Sequence, residues 1–181
     1  MLEKAIIFAA NAHEGQFRKG TKLPYIVHPM EVATIVTTLT KDIEVICAAV
    51  LHDVLEDCKQ VTYQQLENEF GSKVASLVAH ESEDKSKTWQ ERKQHTIDRL
   101  KAEKNLDIKR IALGDKLSNI RSLKRDYAEV GEELWLRFNE KDKRKQGWYY
   151  KGMIPGFAEL ADHEAYQEYK RLVEDVFCDV I

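Results

Sequence analysis

An all-α fold is what the sequence predicts, and three observations carry that expectation. Apolar residues recur at three- and four-residue spacing through most of the 181 positions. No segment alternates Val, Ile and Thr at the two-residue period of a strand. Only 8 glycines and 3 prolines punctuate the chain, which favours long regular elements. Taken in order, Leu2, Ala5, Ile6, Ala9 and Ala10 form a first stripe, and Val32, Ile35, Val36 and Leu39 a second, starting after Pro29. Ile43, Ile46, Cys47, Val50 and Val54 form a third. Capping-box patterns at Thr62-Tyr-Gln-Gln65 and Thr88-Trp-Gln-Glu91 mark two further helix starts. Gly71 reads as a stop, followed by Val74, Leu77 and Val78. Leu106, Ile108, Ile111, Ala112, Leu117, Ile120 and Leu123 fit one long helix. Pro155 opens the last, with Leu160, Leu172, Val173 and Val176 inward. The one shift in composition, Glu140–Tyr150 (EKDKRKQGWYY), reads as a loop rather than a boundary, so a single bundle of roughly eight to ten helices over residues 1–181 is expected.

Composition narrows the function. Hydrophobic residues make up 43% and charged residues 33%, enough to bury a core. Against 31 acidic residues stand 28 basic ones, a net charge of −3, so no global basic field calls for nucleic acid. The apolar run Val45–Leu51 ends at His52, far short of the ~20 residues of a membrane span. No secretory leader pattern opens the chain, and three cysteines without a CxxC spacing give neither a disulfide framework nor a thiolate zinc site; a cytoplasmic protein is expected. Cys47 and Cys178 fit apolar stripes and read as core. Whether the chain pairs as a homodimer is left open.

The anomaly lies in Ala48-Ala-Val-Leu-His-Asp-Val-Leu-Glu-Asp57. At helical spacing, His52 neighbours Glu56, and Asp53 neighbours Glu56 and Asp57. Carboxylates crowded at a helix C-terminus repel one another and oppose the macrodipole, so a compensating cation is called for. His28, just before the second helix, and Asp115, interrupting an apolar face, can complete a site with His52 and Asp53. Two nitrogens with two or more oxygens suit Mn²⁺ or Fe²⁺, with Zn²⁺ and Mg²⁺ as alternatives. A cation there makes water nucleophilic near neutral pH, and Glu56 or Asp57, one turn on, can accept its proton or protonate a leaving oxygen.

The order H…HD…D resembles that of the HD-domain superfamily of metal-dependent phosphohydrolases, which are all-helical. More narrowly, Arg18-Lys-Gly-Thr-Lys-Leu-Pro-Tyr-Ile-Val-His-Pro29, Leu51-His-Asp-Val-Leu-Glu-Asp57, Glu83-Asp-Lys85 and Gly114-Asp-Lys-Leu-Ser-Asn-Ile-Arg121 are similar to blocks in the (p)ppGpp hydrolase domain and the small alarmone hydrolases. The blocks span about residues 5–125, leaving the helices and loop of 126–181 without a motif. The resemblance implies a single HD-domain bundle in which His28, His52, Asp53 and Asp115 bind Mn²⁺ and Glu56 and Asp57 are the catalytic carboxylates. It further implies that Arg18, Lys19 and Asn119 contact the substrate. The implied reaction is release of pyrophosphate from the 3′ position of guanosine 3′,5′-bis(diphosphate). Alternatives are another nucleotide substrate, NADPH or a (deoxy)nucleotide, and a non-catalytic nucleotide-binding module. Within 181 residues, degradation alone is the expected activity.

Other features carry bland expectations. His13, His80, His95 and His163 read as surface or boundary residues, and Arg92 and Lys93 as an exposed helix face. Lys141, Lys143, Arg144 and Lys145 read as a solvated loop, and Trp148, Tyr149 and Tyr150 as its anchor. Gly114 stands where a small helix former is expected, at a cost of ~1 kcal/mol.

Overall fold

Five helices start on side-chain caps that the sequence supplies directly before them. Asp42, Thr62, Thr88, Asn105 and Asp142 each accept a hydrogen bond from a backbone N–H two or three residues on. At Thr88 the box is complete, because Glu91 accepts from the Thr88 N–H in return. Each such cap contributes about 1 kcal/mol by satisfying a donor the helix leaves unpaired.

A computed structural model describes residues 1–80 and 86–180. Its helices are α1 (Leu2–Ala12), α2 (Val27–Leu39), α3 (Ile43–Leu51), α4 (Val54–Asp57), α5 (Tyr63–Phe70), α6 (Ser72–Ala79), α7 (Trp89–Ala102), α8 (Leu106–Val130), α9 (Lys143–Met153) and α10 (Glu164–Val176). Two 3₁₀ segments, Gly131–Arg137 and Ile154–Leu160, join the later helices. Among the described residues there is no strand, only an isolated bridge between Phe17 and Pro24. None of these helices is long and apolar enough to cross a membrane. The fold is all-α.

Two apolar clusters form the interior. One gathers α1, α3, α5 and α6 around Val45, Leu51, Leu66 and Val74. The other gathers α7, α9, α10 and both 3₁₀ segments around Leu117, Leu134, Phe157 and Tyr169. Helix α2 faces both, through Val32 and Val36 on one side and Ile35 and Leu39 on the other, and α8 packs along it. That close seam explains Gly114. A Cβ there would lie 2.9 Å from Val36 Cγ2 and 3.2 Å from the Val32 carbonyl oxygen, so the glycine lets α8 approach α2.

Several boundaries differ from the sequence expectation. Glu140–Tyr150 is a loop only as far as Asp142, which caps α9, and the aromatics that follow pack inward, Tyr150 against Phe177 with ring centroids 5.7 Å apart. The third helix ends at Leu51, and His52 and Asp53 form a turn before the short α4, so Glu56 and Asp57 are not in the last turn of a long helix. Helix α2 begins two residues before Pro29, because a proline is tolerated in a first turn, where its missing N–H has no partner. Pro155 opens a 3₁₀ segment, and the last helix starts only at Glu164. Leu172 is half-buried. Cys178, past the end of α10, is exposed; Cys47 and Cys58 are buried, and all three are free thiols. His13 is buried, its ring tilted against Tyr25 with centroids 4.8 Å apart.

Candidate metal centre

His28 projects from the first turn of α2, His52 caps the C-terminus of α3, Asp53 follows it, and Asp115 lies midway along α8. The imidazoles are sealed, 3% and 2% exposed, with centroids 5.2 Å apart. One ligand atom from each of His28, His52 and Asp53 lies within 4.8 Å of the other two. Asp115 adjoins them: its Oδ1 is 3.2 Å from His28 Nε2 and 3.8 Å from His52 Nε2. Lys116 holds the other Asp115 oxygen, and Asn119 donates to Oδ1 at 2.6 Å.

Hydrogen bonds on the far side orient the candidate ligands. His52 Nδ1 is 2.9 Å from the Ala49 carbonyl, which can only accept, so Nδ1 carries a hydrogen. Its Nε2 then points into the cluster. That nitrogen is buried, with Asp53 Oδ2 only 3.0 Å away. Tyr25 donates its hydroxyl to the same Oδ2 at 2.6 Å. Acceptors therefore converge on one point with few donors to match them.

The electrostatics follow. Burial opposes charge on His52, but Asp53 and Asp115 outweigh it and push the imidazole up to about 9. Burial dominates at His28 and lowers it. Burial also works to raise both carboxyls, yet His52 holds Asp53, and Lys116 with the histidines holds Asp115, well below the usual range. The cluster thus retains one proton on His52 where a cation would balance the same carboxylates. Two imidazole nitrogens and two carboxylates form a donor set that fits Mn²⁺, Fe²⁺ or Zn²⁺.

The cluster lies at a cleft of about 830 Å³, a size that takes a nucleotide-sized ligand. Arg18, Lys19, Glu56, Asp57 and Asn119 all line it. Arg18 donates to Asn119 Oδ1 at 2.8 Å and stacks over Tyr25, so Asn119 bridges the guanidinium to Asp115. Lys19 lies over the Phe138 ring. Glu56 is half-buried and Asp57 exposed, and Gln16 donates to the Asp57 carbonyl at 3.2 Å. Glu83-Asp-Lys85 falls outside the described residues.

Some lining residues were not anticipated. Arg92 and Lys93 were expected on an exposed face, but α7 turns them into the cleft, Lys93 over the Tyr149 ring at 4.9 Å. Lys116 also lines the cleft, as does Tyr149. Tyr25 stood inside the PYIVHP block, and its place three residues before His28 was the available signal. Of the basic run, Lys143 pairs with Asp179 and Lys145 with Glu140, and neither lines the cleft.

Similarity to known proteins agrees with this geometry. The HD domain family model matches residues 5–142. A guanosine-3′,5′-bis(diphosphate) 3′-pyrophosphohydrolase of Vibrio cholerae is 37% identical over 127 residues, 67% of this chain and 18% of its own length. The chain thus spans under a fifth of that relative. The enzyme of the same name from Danio rerio, MESH1, is 38% identical over 128 residues, 69% of this chain and 70% of its own. A solved metazoan ortholog of SpoT, which hydrolyzes ppGpp, superposes with a TM-score of 0.76 at 26% identity, covering 98% of this chain and 94% of that one. With paired histidines and aspartates at the junction of α2, α3 and α8, and a family match over most of its length, this chain belongs to the HD-domain family.

Proposed function

We propose that the protein is a metal-dependent pyrophosphohydrolase acting on guanosine 3′,5′-bis(diphosphate). The observation that carries this reading is the buried His28, His52, Asp53 cluster, with Asp115 beside it, at a cleft whose walls bear Arg18, Lys19, Arg92, Lys93 and Lys116. A substrate with four phosphates needs that density of cations, and an Arg fork suits phosphate oxygens. The names of the Vibrio and Danio relatives support the same substrate.

In this reading His28, His52, Asp53 and Asp115 hold Mn²⁺. The cation, when bound, supplies a Lewis acid that acidifies water and offsets phosphoryl charge. Arg18 and Lys19 bind the nucleotide, and Asn119, tied to Arg18 and Asp115, fixes the distance between that grip and the ligands. Glu56 and Asp57 orient the attacking water and take its proton. Water attacks the phosphorus on the 3′ oxygen, and the bond between them breaks. The proton returns to that oxygen, giving guanosine 5′-diphosphate and pyrophosphate. The free thiols Cys47, Cys58 and Cys178 support a cytoplasmic setting.

The test is incubation of purified protein and Mn²⁺ with the tetraphosphate, NADPH and deoxynucleotides, reading products by chromatography. Pyrophosphate from the tetraphosphate, abolished by chelation, is expected. Orthophosphate release from NADPH alone would overturn the substrate. Substituting Glu56→Gln and Asp57→Asn together is expected to lower kcat by roughly 10²–10⁴ with Mn²⁺ affinity retained. Unchanged turnover would remove both residues from the mechanism, and a chain that binds nucleotide without turnover would be a sensor.

A further inference from the structure

We propose that Glu31, Ser118, Arg121 and Glu168 form a relay by which α10 sets the tautomer of His28 and thereby the affinity of the metal centre. The inference deepens the metal-centre reading and rests on it. His28 Nδ1 lies 2.9 Å from Ser118 Oγ, a fully buried hydroxyl on α8. That hydroxyl has a single proton, which it donates to Glu31 Oε2 at 2.8 Å. An ionised carboxylate can only accept, so Ser118 offers His28 a lone pair and never a hydrogen. His28 must then carry its hydrogen on Nδ1, leaving Nε2 as the bare nitrogen that a cation needs.

The alternative tautomer is a real competitor. Asp115 Oδ1 is 3.2 Å from His28 Nε2 and would accept a hydrogen placed there, blocking the ligand atom. What tips the balance is the Glu31 carboxylate, and Arg121 holds it, with Nη1 3.2 Å from Glu31 Oε1. Arg121 is itself gripped at two points by Glu168 on α10, through Nε at 2.7 Å and Nη2 at 2.6 Å. A forked pair of this kind fixes the guanidinium plane. Helix α10 lies beyond the residues that the HD family model matches, so the relay gives the C-terminal helix a task at the centre. These four are positioning residues and touch no substrate.

The test uses the full chain and Mn²⁺ as the probe, without nucleotide. Ring ¹⁵N spectra of the metal-free protein are expected to show His28 protonated at Nδ1. In Ser118→Ala the spectrum shifts toward Nε2–H, and Mn²⁺ binds roughly 10–100-fold more weakly. Glu168→Gln, at the half-buried outer end of the relay, is expected to weaken Mn²⁺ binding several-fold. Asp175→Asn is the control: it removes the other ion pair between α8 and α10, Lys124–Asp175 at 3.2 Å, without touching Arg121, and leaves affinity unchanged. An Nε2–H tautomer in the wild type would overturn the proposal. So would Glu168→Gln matching the wild type, or Asp175→Asn weakening binding as much as Glu168→Gln. Failure of the wild type to bind Mn²⁺ would instead strike the metal-centre reading, and the tautomer spectrum would still judge the relay.

Discussion

His52 concentrates the electrostatics of the site in one side chain. With no cation bound, Asp53 and Asp115 overcome its burial and lift it to about 9, so it keeps its proton through neutrality. A cation entering at pH 7 has to displace that proton. The sign follows: binding releases a proton below about pH 9, so apparent affinity rises with pH up to that point and levels off above it. Between pH 6.5 and 8.5 the Mn²⁺ dissociation constant is expected to fall about tenfold per unit, read by calorimetry in buffers of different ionisation enthalpy. A constant affinity over that range, with no proton released, would contradict the geometry. At this scale the sequence was informative where residue type was out of place: a histidine and acids ending an apolar run, an aspartate on an apolar face. It was mute on Arg92 and Lys93, because whether a charged helix face meets water or a cleft wall depends on what packs opposite it, here Tyr149.

Elements were legible where local chemistry decides them. Thr88 and Glu91 announce α7 because the capping box needs only two residues three positions apart, and Gly71, with φ of +92°, closes α5 because that backbone strains any other residue. Helix α9, within the segment expected as a loop, is illegible for the opposite reason. Its charges, Lys143 and Lys145, find partners at Asp179 and Glu140, and its aromatics are buried by Phe177 and the rest of the later cluster. Tertiary packing, not propensity, makes that segment helical. Gly114 shows the same override with its sign reversed. Helix propensity favours Gly114→Ala by ~1 kcal/mol, but the new Cβ meets Val36 at 2.9 Å and the Val32 backbone at 3.2 Å. Separating α8 from α2 costs about 1–3 kcal/mol, so the variant is expected to be less stable by urea unfolding and to bind Mn²⁺ less tightly, since His28 and Asp115 lie on those helices. A more stable Gly114→Ala protein would show that the seam has slack.

At the scale of the molecule, the candidate metal centre sits where the two apolar clusters meet. Its expected ligands come from α2, from the turn after α3, and from α8, and α2 and α8 form the seam between the clusters. The four positions run from residue 28 to residue 115, so an unfolded chain has no such site and a cation binds the folded state alone. Mass action then makes the metal a stabiliser of the whole fold. At a free Mn²⁺ concentration 100 times the dissociation constant the gain is about 2.7 kcal/mol, which for a chain of this size raises Tm by roughly 5–11 °C. Differential scanning calorimetry with Mn²⁺ and with excess chelator reads that difference directly. His52→Ala removes the buried imidazole nitrogen that faces Asp53 and Asp115, so its Tm is expected to be the same in both conditions. Because the ion would bridge both clusters, the gain should appear as one cooperative transition moved upward. A metal-dependent shift confined to part of a split transition would mean that the centre braces one cluster only, and an equal shift in His52→Ala would place the cation elsewhere on the protein.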